Sequence, residues 1–185
     1  KLFPSNKELD IVIIGGLGHV GLPLGIVLAK AGLKVSLLDR DLEKALMVMN
    51  GELPFIEYGA EPILKEVIDN GNLKVHSKRE VVANAKAVII CLGTPIDEYL
   101  NPKTREFLEL IKTFKPYLSE DQLIVIRSTV YPNTCEQIYR LLGEDKKWKI
   151  AYCPERIVQG YAVKELHELP QIVSGLTEEA QEEAA

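Results

Sequence analysis

The stretch Leu9–Asp39 constrains this chain more than any other. It opens with an apolar run of strand length, Leu-Asp-Ile-Val-Ile-Ile, and passes into Gly15-Gly16-Leu17-Gly18-His19-Val20-Gly21. A run of helical character to Gly32 follows, then Lys-Val-Ser-Leu-Leu and Asp39. A lone G-x-G-x-x-G pattern is weak evidence of anything. Placed between a strand and a helix, with a second strand ending in an acid, it specifies a βαβ unit whose turn receives the pyrophosphate of a dinucleotide.

Each residue type in the turn answers to a physical need. Gly16 is expected to allow the tight exit from the strand, Gly18 to let the backbone approach a pyrophosphate, and Gly21 to bring the helix close to the sheet. The residues Gly16, Gly18, His19, Val20 and Gly21 are therefore the expected cofactor contacts of the turn. The helix start presents unpaired N–H groups and about half a positive charge there. His19 stands next to the phosphate position and reads as a residue of the surface edge. Asp39, at the tip of the second strand, can accept hydrogen bonds from ribose hydroxyls and repel a 2′-phosphate. That predicts NAD over NADP, with the neighbouring Arg40 the one residue that would accommodate the phosphate.

Beyond this unit, strand-like and helix-like segments keep alternating, which predicts a Rossmann-like α/β fold: a doubly wound parallel sheet with helices on both faces, as one domain over residues 1–185. Further strands are expected near 73–76, 87–92, 123–127, 148–152 and 171–174. Helices are expected near 19–31, 42–50 (capped by Asp41), 61–70, 104–115 and 134–142, with another from Thr177. Ser77-Lys-Arg-Glu80 has the form of a capping box opening a short helix. Glu52–Gly59 reads as a loop, either a cover over a ligand or an ordinary connection.

Composition narrows the partners. A net charge of −5 without a basic run argues against nucleic acid. No apolar stretch is long enough to cross a membrane, and no secretory signal is recognisable. Cys91, Cys135 and Cys153 are odd in number and fit no zinc spacing, which reads as reduced thiols in a cytoplasmic protein; no metal site is expected. The absence of an initial Met, and a closing helix that runs to the last residue, read as a piece of a longer protein.

In a doubly wound sheet the ligand lies beyond the carboxyl ends of the strands. Four polar clusters are expected there: Gly16–Gly21, Gly93–Asp97, Ser128–Asn133 and Pro154–Gly160. Gly93, Thr94 and Pro95 suit a close approach to the nicotinamide ribose, or simply a Pro-stiffened turn. Ser128 and Thr129 offer hydroxyls to a water or a cofactor amide, or else turn and cap hydroxyls. Glu155 is the acid best placed to act as a general base on a water; its alternative is an ion pair with Arg156 or a neighbour. Cys153 has no base beside it in sequence and reads as a buried structural thiol.

Taken together, five segments resemble the N-terminal domain of the UDP-glucose/GDP-mannose dehydrogenase family. They are Gly15-Gly16-Leu-Gly-His-Val-Gly-Leu-Pro, Cys91-Leu-Gly-Thr-Pro-Ile-Asp-Glu, Arg127-Ser-Thr-Val-Tyr-Pro, Pro154-Glu-Arg-Ile-Val-Gln-Gly and Pro170-Gln-Ile-Val-Ser-Gly. They fall in the family's order and span almost the whole chain. The Asp-Glu-Tyr-Leu-Asn-Pro102 and Glu-Arg-Ile-Val-Gln-Gly160 segments look most like the branch acting on UDP-N-acetylmannosamine or UDP-N-acetylglucosamine.

The resemblance implies oxidation of the C6 hydroxyl of a UDP-N-acetylhexosamine to a carboxylate with two NAD+, through a cysteine thioester formed outside this chain. It matches Glu155 to the glutamate that assists thioester hydrolysis and Thr129 to the threonine that orders the catalytic water. Thr94 and Asp39 match NAD contacts, and Glu155 and Arg156 match residues facing the sugar, with the loop up to Leu166 helping to close over it. The complete protein is then expected to be a homodimer or larger, and this chain alone to lack turnover. Asn133 departs from the family's usual glycine, but Asn tolerates positive φ, so the turn is expected to survive. Two other readings stay open on sequence alone: a non-catalytic NAD-sensing module, and another NAD-dependent 3-hydroxyacid dehydrogenase.

Overall fold

The computed structural model describes residues 7–93, 98 and 103–185. Its frame follows from apolar runs that bury both faces of a strand. Strands β1 (Leu9–Ile14), β2 (Val35–Leu38), β3 (Leu73–His76), β4 (Ala85–Ile90), β5 (Leu123–Ile126), β6 (Lys149–Tyr152) and β7 (Ser174–Gly175) form one sheet in the order β3-β2-β1-β4-β5-β6-β7. All neighbours are parallel except the last pair, where β7 runs antiparallel to β6. The order reverses between β1 and β4, which opens the crevice where such sheets take a dinucleotide.

The pleat sends alternate residues to opposite cores. Ile11 and Ile13 of β1 join one cluster, with Leu22 and Ile26 of α1 (Gly21–Lys30), Val48 of α2 (Leu42–Met49) and Leu64 and Val67 of α3 (Ala60–Asp69). Val12 and Ile14 join the other, with Phe107 and Ile111 of α4 (Thr104–Lys112) and Ile138 and Leu142 of α5 (Thr134–Leu142). Two short helices, α6 (Ala162–Glu168) and α7 (Glu178–Ala184), lie on the first face through Val163 and Ala180. Two caps form as expected: Asp41 accepts from Lys44 N at 3.1 Å, and Thr177 accepts from Ala180 N at 3.1 Å.

Several local expectations give way. The first helix begins at Gly21 rather than His19, because Gly18–Val20 are spent in the turn. No capping box forms at Ser77; Arg79–Asn84 is a 3₁₀ turn without a side-chain cap, too short to close an α-helix and pinned by buried Val81 and Val82. β4 starts two residues earlier than expected, at Ala85. The expected last strand at 171–174 shrinks to Ser174–Gly175, because Gln171 is drawn into contacts with Pro154 and Arg127. Helix α6 was expected as loop: of its seven residues only Ala162 and Val163 are buried, so it shows no helical period. Among the described residues, no helix is long and apolar enough to cross a membrane.

Candidate cofactor and active site

The glycine turn is held by backbone contacts that leave no room for side chains. Gly15, not Gly16, carries the left-handed conformation, at φ +78°. Gly16 is needed for a different reason: a Cβ there would stand 2.7 Å from the Cβ of Leu37 on β2. At Gly21 a Cβ would stand 2.4 Å from the carbonyl oxygen of Gly15 and 2.9 Å from Gly16 Cα, so this glycine is what lets α1 lie against the turn. Gly18 differs. Its Cβ would meet nothing closer than the Gly15 carbonyl at 3.4 Å, an ordinary contact. The protein does not fill the space in front of Gly18.

That space belongs to a cleft of about 470 Å³ lined by Gly15, Leu17, Gly18, Asp39, Arg40 and Gly93, among others. At its phosphate end, no side chain caps α1, and its first turn carries no acid to offset the positive end. Asp39 stands at the cleft wall and braces the turn. Its Oδ2 accepts from Leu17 N at 3.1 Å, while Oδ1 accepts from Arg40 N at 2.8 Å and Asp41 N at 3.2 Å. The same carboxylate thus fixes the glycine turn and lines the cleft. Arg40 is exposed at the rim. His19 is also exposed, and its ring lies 4.0 Å from that of Phe55. Gly93 lines the cleft, whereas Thr94 and Pro95 lie outside the described residues.

At the ends of β5 and β6 the expected residues come together around one that sequence reasoning passed over. Arg127, 6% exposed, places Nη2 2.5 Å from Oε2 of Glu155, itself 11% exposed. Glu155 Oε1 accepts from the backbone N–H groups of Arg156 and Ile157, at 2.7 and 2.9 Å. Glu155 does form an ion pair, with Arg127 rather than Arg156 as partner. The Arg156 guanidinium donates instead to the Pro170 carbonyl. Arg127 Nη1 also donates to Gln171 Oε1 at 2.8 Å, which joins the β5, β6 and pre-β7 loops. Ser128 turns inward, its hydroxyl 3.2 Å from the Ile90 carbonyl, while Thr129 is exposed. Asn133 adopts φ 66°, so the turn does survive the missing glycine.

None of the three thiols is primed for attack. Burial pushes Cys91 up to about 12 and Cys135 up to about 11, and raises Cys153 as well. The thiolate is the nucleophile, and at neutral pH these groups stay protonated. Among the described residues, no group of three or more His, Cys, Asp or Glu is arranged to hold a metal ion.

Residues 9–185 match the NAD binding domain of the UDP-glucose/GDP-mannose dehydrogenase family. The chain belongs to that family. It is 35% identical over 181 residues to a UDP-N-acetyl-D-mannosamine dehydrogenase of Methanococcus aeolicus, covering 95% of this chain and 41% of that protein. Its fold overlays the UDP-D-ManNAc dehydrogenase of Pyrococcus horikoshii with a TM-score of 0.87 at 31% identity, over 95% of this chain and 43% of that one. The UDP-N-acetyl-mannosamine dehydrogenase of Staphylococcus aureus gives 0.83 at 28% identity, over 95% and 43%. The chain thus spans about 41% of the length of its curated relative. It is an NAD-binding domain, and the cleft fits that cofactor: open in front of Gly18, positive at the α1 terminus and acidic at Asp39.

Proposed function

We propose that this domain is the cofactor half of an enzyme that oxidises C6 of a UDP-N-acetylhexosamine, UDP-ManNAc or UDP-GlcNAc, to the uronate. The relatives' names support the sugar. The observation that carries the reading is convergence. β1, β4, β5 and β6 lie side by side, and each ends in a candidate: the glycine turn, Gly93, Thr129 and Glu155. A module that only sensed the nucleotide would need the first of these but not the last two.

Bound NAD+ supplies the hydride acceptor. The residues of this chain bind and orient it: the α1 terminus and Gly18 take the pyrophosphate, and Asp39 takes the adenosine ribose and selects against a 2′-phosphate. Thr129 orders a water and Glu155 accepts its proton, with Arg127 fixing the carboxylate beforehand. The loop from Glu155 to Leu166 faces the sugar. Three protonated thiols supply no nucleophile, so the covalent route from aldehyde to acid needs a cysteine that this chain does not provide. The free thiols suit a cytoplasmic setting.

The test is a rate assay of the complete protein on UDP-ManNAc, UDP-GlcNAc, UDP-glucose and GDP-mannose, beside the isolated chain. The complete protein should reduce NAD+ fastest with an N-acetylhexosamine, and Glu155→Gln should slow it. The isolated chain should bind NAD+ and produce no NADH. Strong NADH production by the chain alone, or a preference for GDP-mannose, would overturn the reading.

A further inference from the structure

We propose that Glu57 is the positioning residue of the sugar-facing loop, acting from a segment that spans the gap between that loop and the cofactor turn. The proposal rests on the assignment of the Glu155–Leu166 loop to the sugar, made above.

Glu57 is an acid only 4% exposed, in the connection between α2 and α3. Its Oε1 accepts from Val163 N at 3.1 Å, a buried bond across 106 residues of chain that ties down the first turn of α6. Among the described residues, its Oε2 has no hydrogen-bond partner. Burying a carboxylate with one oxygen unsatisfied is costly, and an apolar side chain at this position would avoid that cost. What an apolar side chain would not do is accept from the Val163 amide.

The neighbours of Glu57 make the same connection. Tyr58 N donates to the Gly160 carbonyl at 2.9 Å. The Tyr58 and Tyr161 rings lie 5.1 Å apart. Gly160 takes φ +90°, a left-handed conformation that favours glycine, where the loop meets this segment. On its other side the segment reaches the glycine turn through the Phe55–His19 ring contact at 4.0 Å. Residues 55–58 therefore touch the phosphate turn at one end and residues 160–163 at the other. The stretch from Arg156 to Tyr161 pairs with no strand; Glu155, Pro170 and Glu165 hold Arg156, Ile157 and Val158, and the 55–58 segment holds its far end at Gly160 and Tyr161.

Hydrogen exchange on the present chain tests this, using Glu57→Ala and Glu57→Gln, with the β1 and β4 amides as internal reference. Glu57→Ala should speed exchange at Val163 and across Gly160–Glu165 at least about tenfold, with the reference amides within about twofold. Glu57→Gln keeps a carbonyl oxygen facing Val163 N and should stay within about threefold of wild type. Unchanged Val163 exchange in the alanine variant would overturn the proposal. So would a glutamine variant as exposed as the alanine one, or loss of protection throughout the sheet in both, which would make Glu57 a general stability residue.

The same substitution in the complete dehydrogenase separates this inference from the reading beneath it. Glu57→Ala should raise the KM for the UDP-sugar at least about fivefold and leave the KM for NAD+ within about twofold, with glutamine restoring most of the loss. If exchange responds as expected and the sugar KM does not, Glu57 still positions the loop, and it is the loop's assignment to the sugar that fails.

Discussion

The phosphate turn and the Arg127–Glu155 cluster lie at the same edge of the sheet and are built on opposite principles. The turn is made by the absence of side chains: at Gly15, Gly16 and Gly21 a Cβ would strike backbone or Leu37 at 2.4–2.7 Å. The cluster is made of long side chains that meet partners distant in sequence: Arg127 pairs with Glu155 and donates to Gln171, 44 residues on, while among the described residues its Nε has no hydrogen-bond partner. One site holds a shape in advance; the other holds a charge in advance. Steric sites fail by overpacking, whereas charged ones fail by leaving a partner behind in a poorly solvated place.

The largest expected effect is therefore at the cluster. Arg127→Met leaves Glu155 without its counter-ion and should destabilise the chain by about 3–5 kcal/mol in urea unfolding. The neutral pair Arg127→Met/Glu155→Gln should recover most of that, because no charge is then stranded. A double variant no better than the single one would show that the pair does not behave as a coupled buried unit.

Next comes the turn. Gly21→Ala places a methyl group 2.4 Å from the Gly15 carbonyl, a contact that only backbone movement can relieve. It should cost about 1–3 kcal/mol, read as a fall in Tm, and weaken NAD+ as the turn shifts. Asp39→Ala removes the brace to Leu17 N and the ribose acceptor together. By calorimetry it should weaken NAD+ about tenfold, or ~1.4 kcal/mol, and narrow the gap to NADP+. An unchanged ratio would shift the discrimination to the Arg40 side of the cleft.

The smallest effect is one of pH. Burial, with a lesser push from Lys74, holds the His76 imidazole below its ordinary value of 6.5. The unfolded chain then binds the proton first. The stability this group contributes is complete above its unfolded value and is lost as pH falls from there toward the lower folded one. His76→Gln should lose less Tm than wild type between about pH 7.5 and about pH 5.5. An equal loss in both would place the acid sensitivity elsewhere.

The contrast between the two sites also explains what could be read beforehand. The doubly wound parallel sheet and the turn were legible because their determinants are local: apolar runs of strand length alternating with helical segments, glycines at fixed spacing, an acid at a strand tip. Gly16 proves necessary at the turn, but the positive φ falls on Gly15, because the sequence shows that glycines are needed and not which one takes that conformation. Glu155 was visible as an acid at a strand end, yet its partner Arg127 lies on the neighbouring strand, a pairing that only the sheet order supplies. Glu57 and helix α6 were missed for a related reason. α6 is a short helix with two buried residues, and the carboxylate that caps it comes from the far side of β3, β4, β5 and β6 in the chain. Arg127 had one local clue, a cation directly after four buried apolar residues, which marks an ion that needs a partner.

The central claim is that the cleft in front of the glycine turn is shaped for a dinucleotide, and Gly18 tests it most directly. Gly18→Ala should leave Tm within about 2 °C, since its methyl group meets no part of the protein closer than 3.4 Å. The same methyl group would enter the cleft at the proposed pyrophosphate position, so NAD+ affinity by calorimetry should fall at least about thirtyfold, or ~2 kcal/mol. A variant that folds as well as wild type and binds NAD+ equally well would contradict the account.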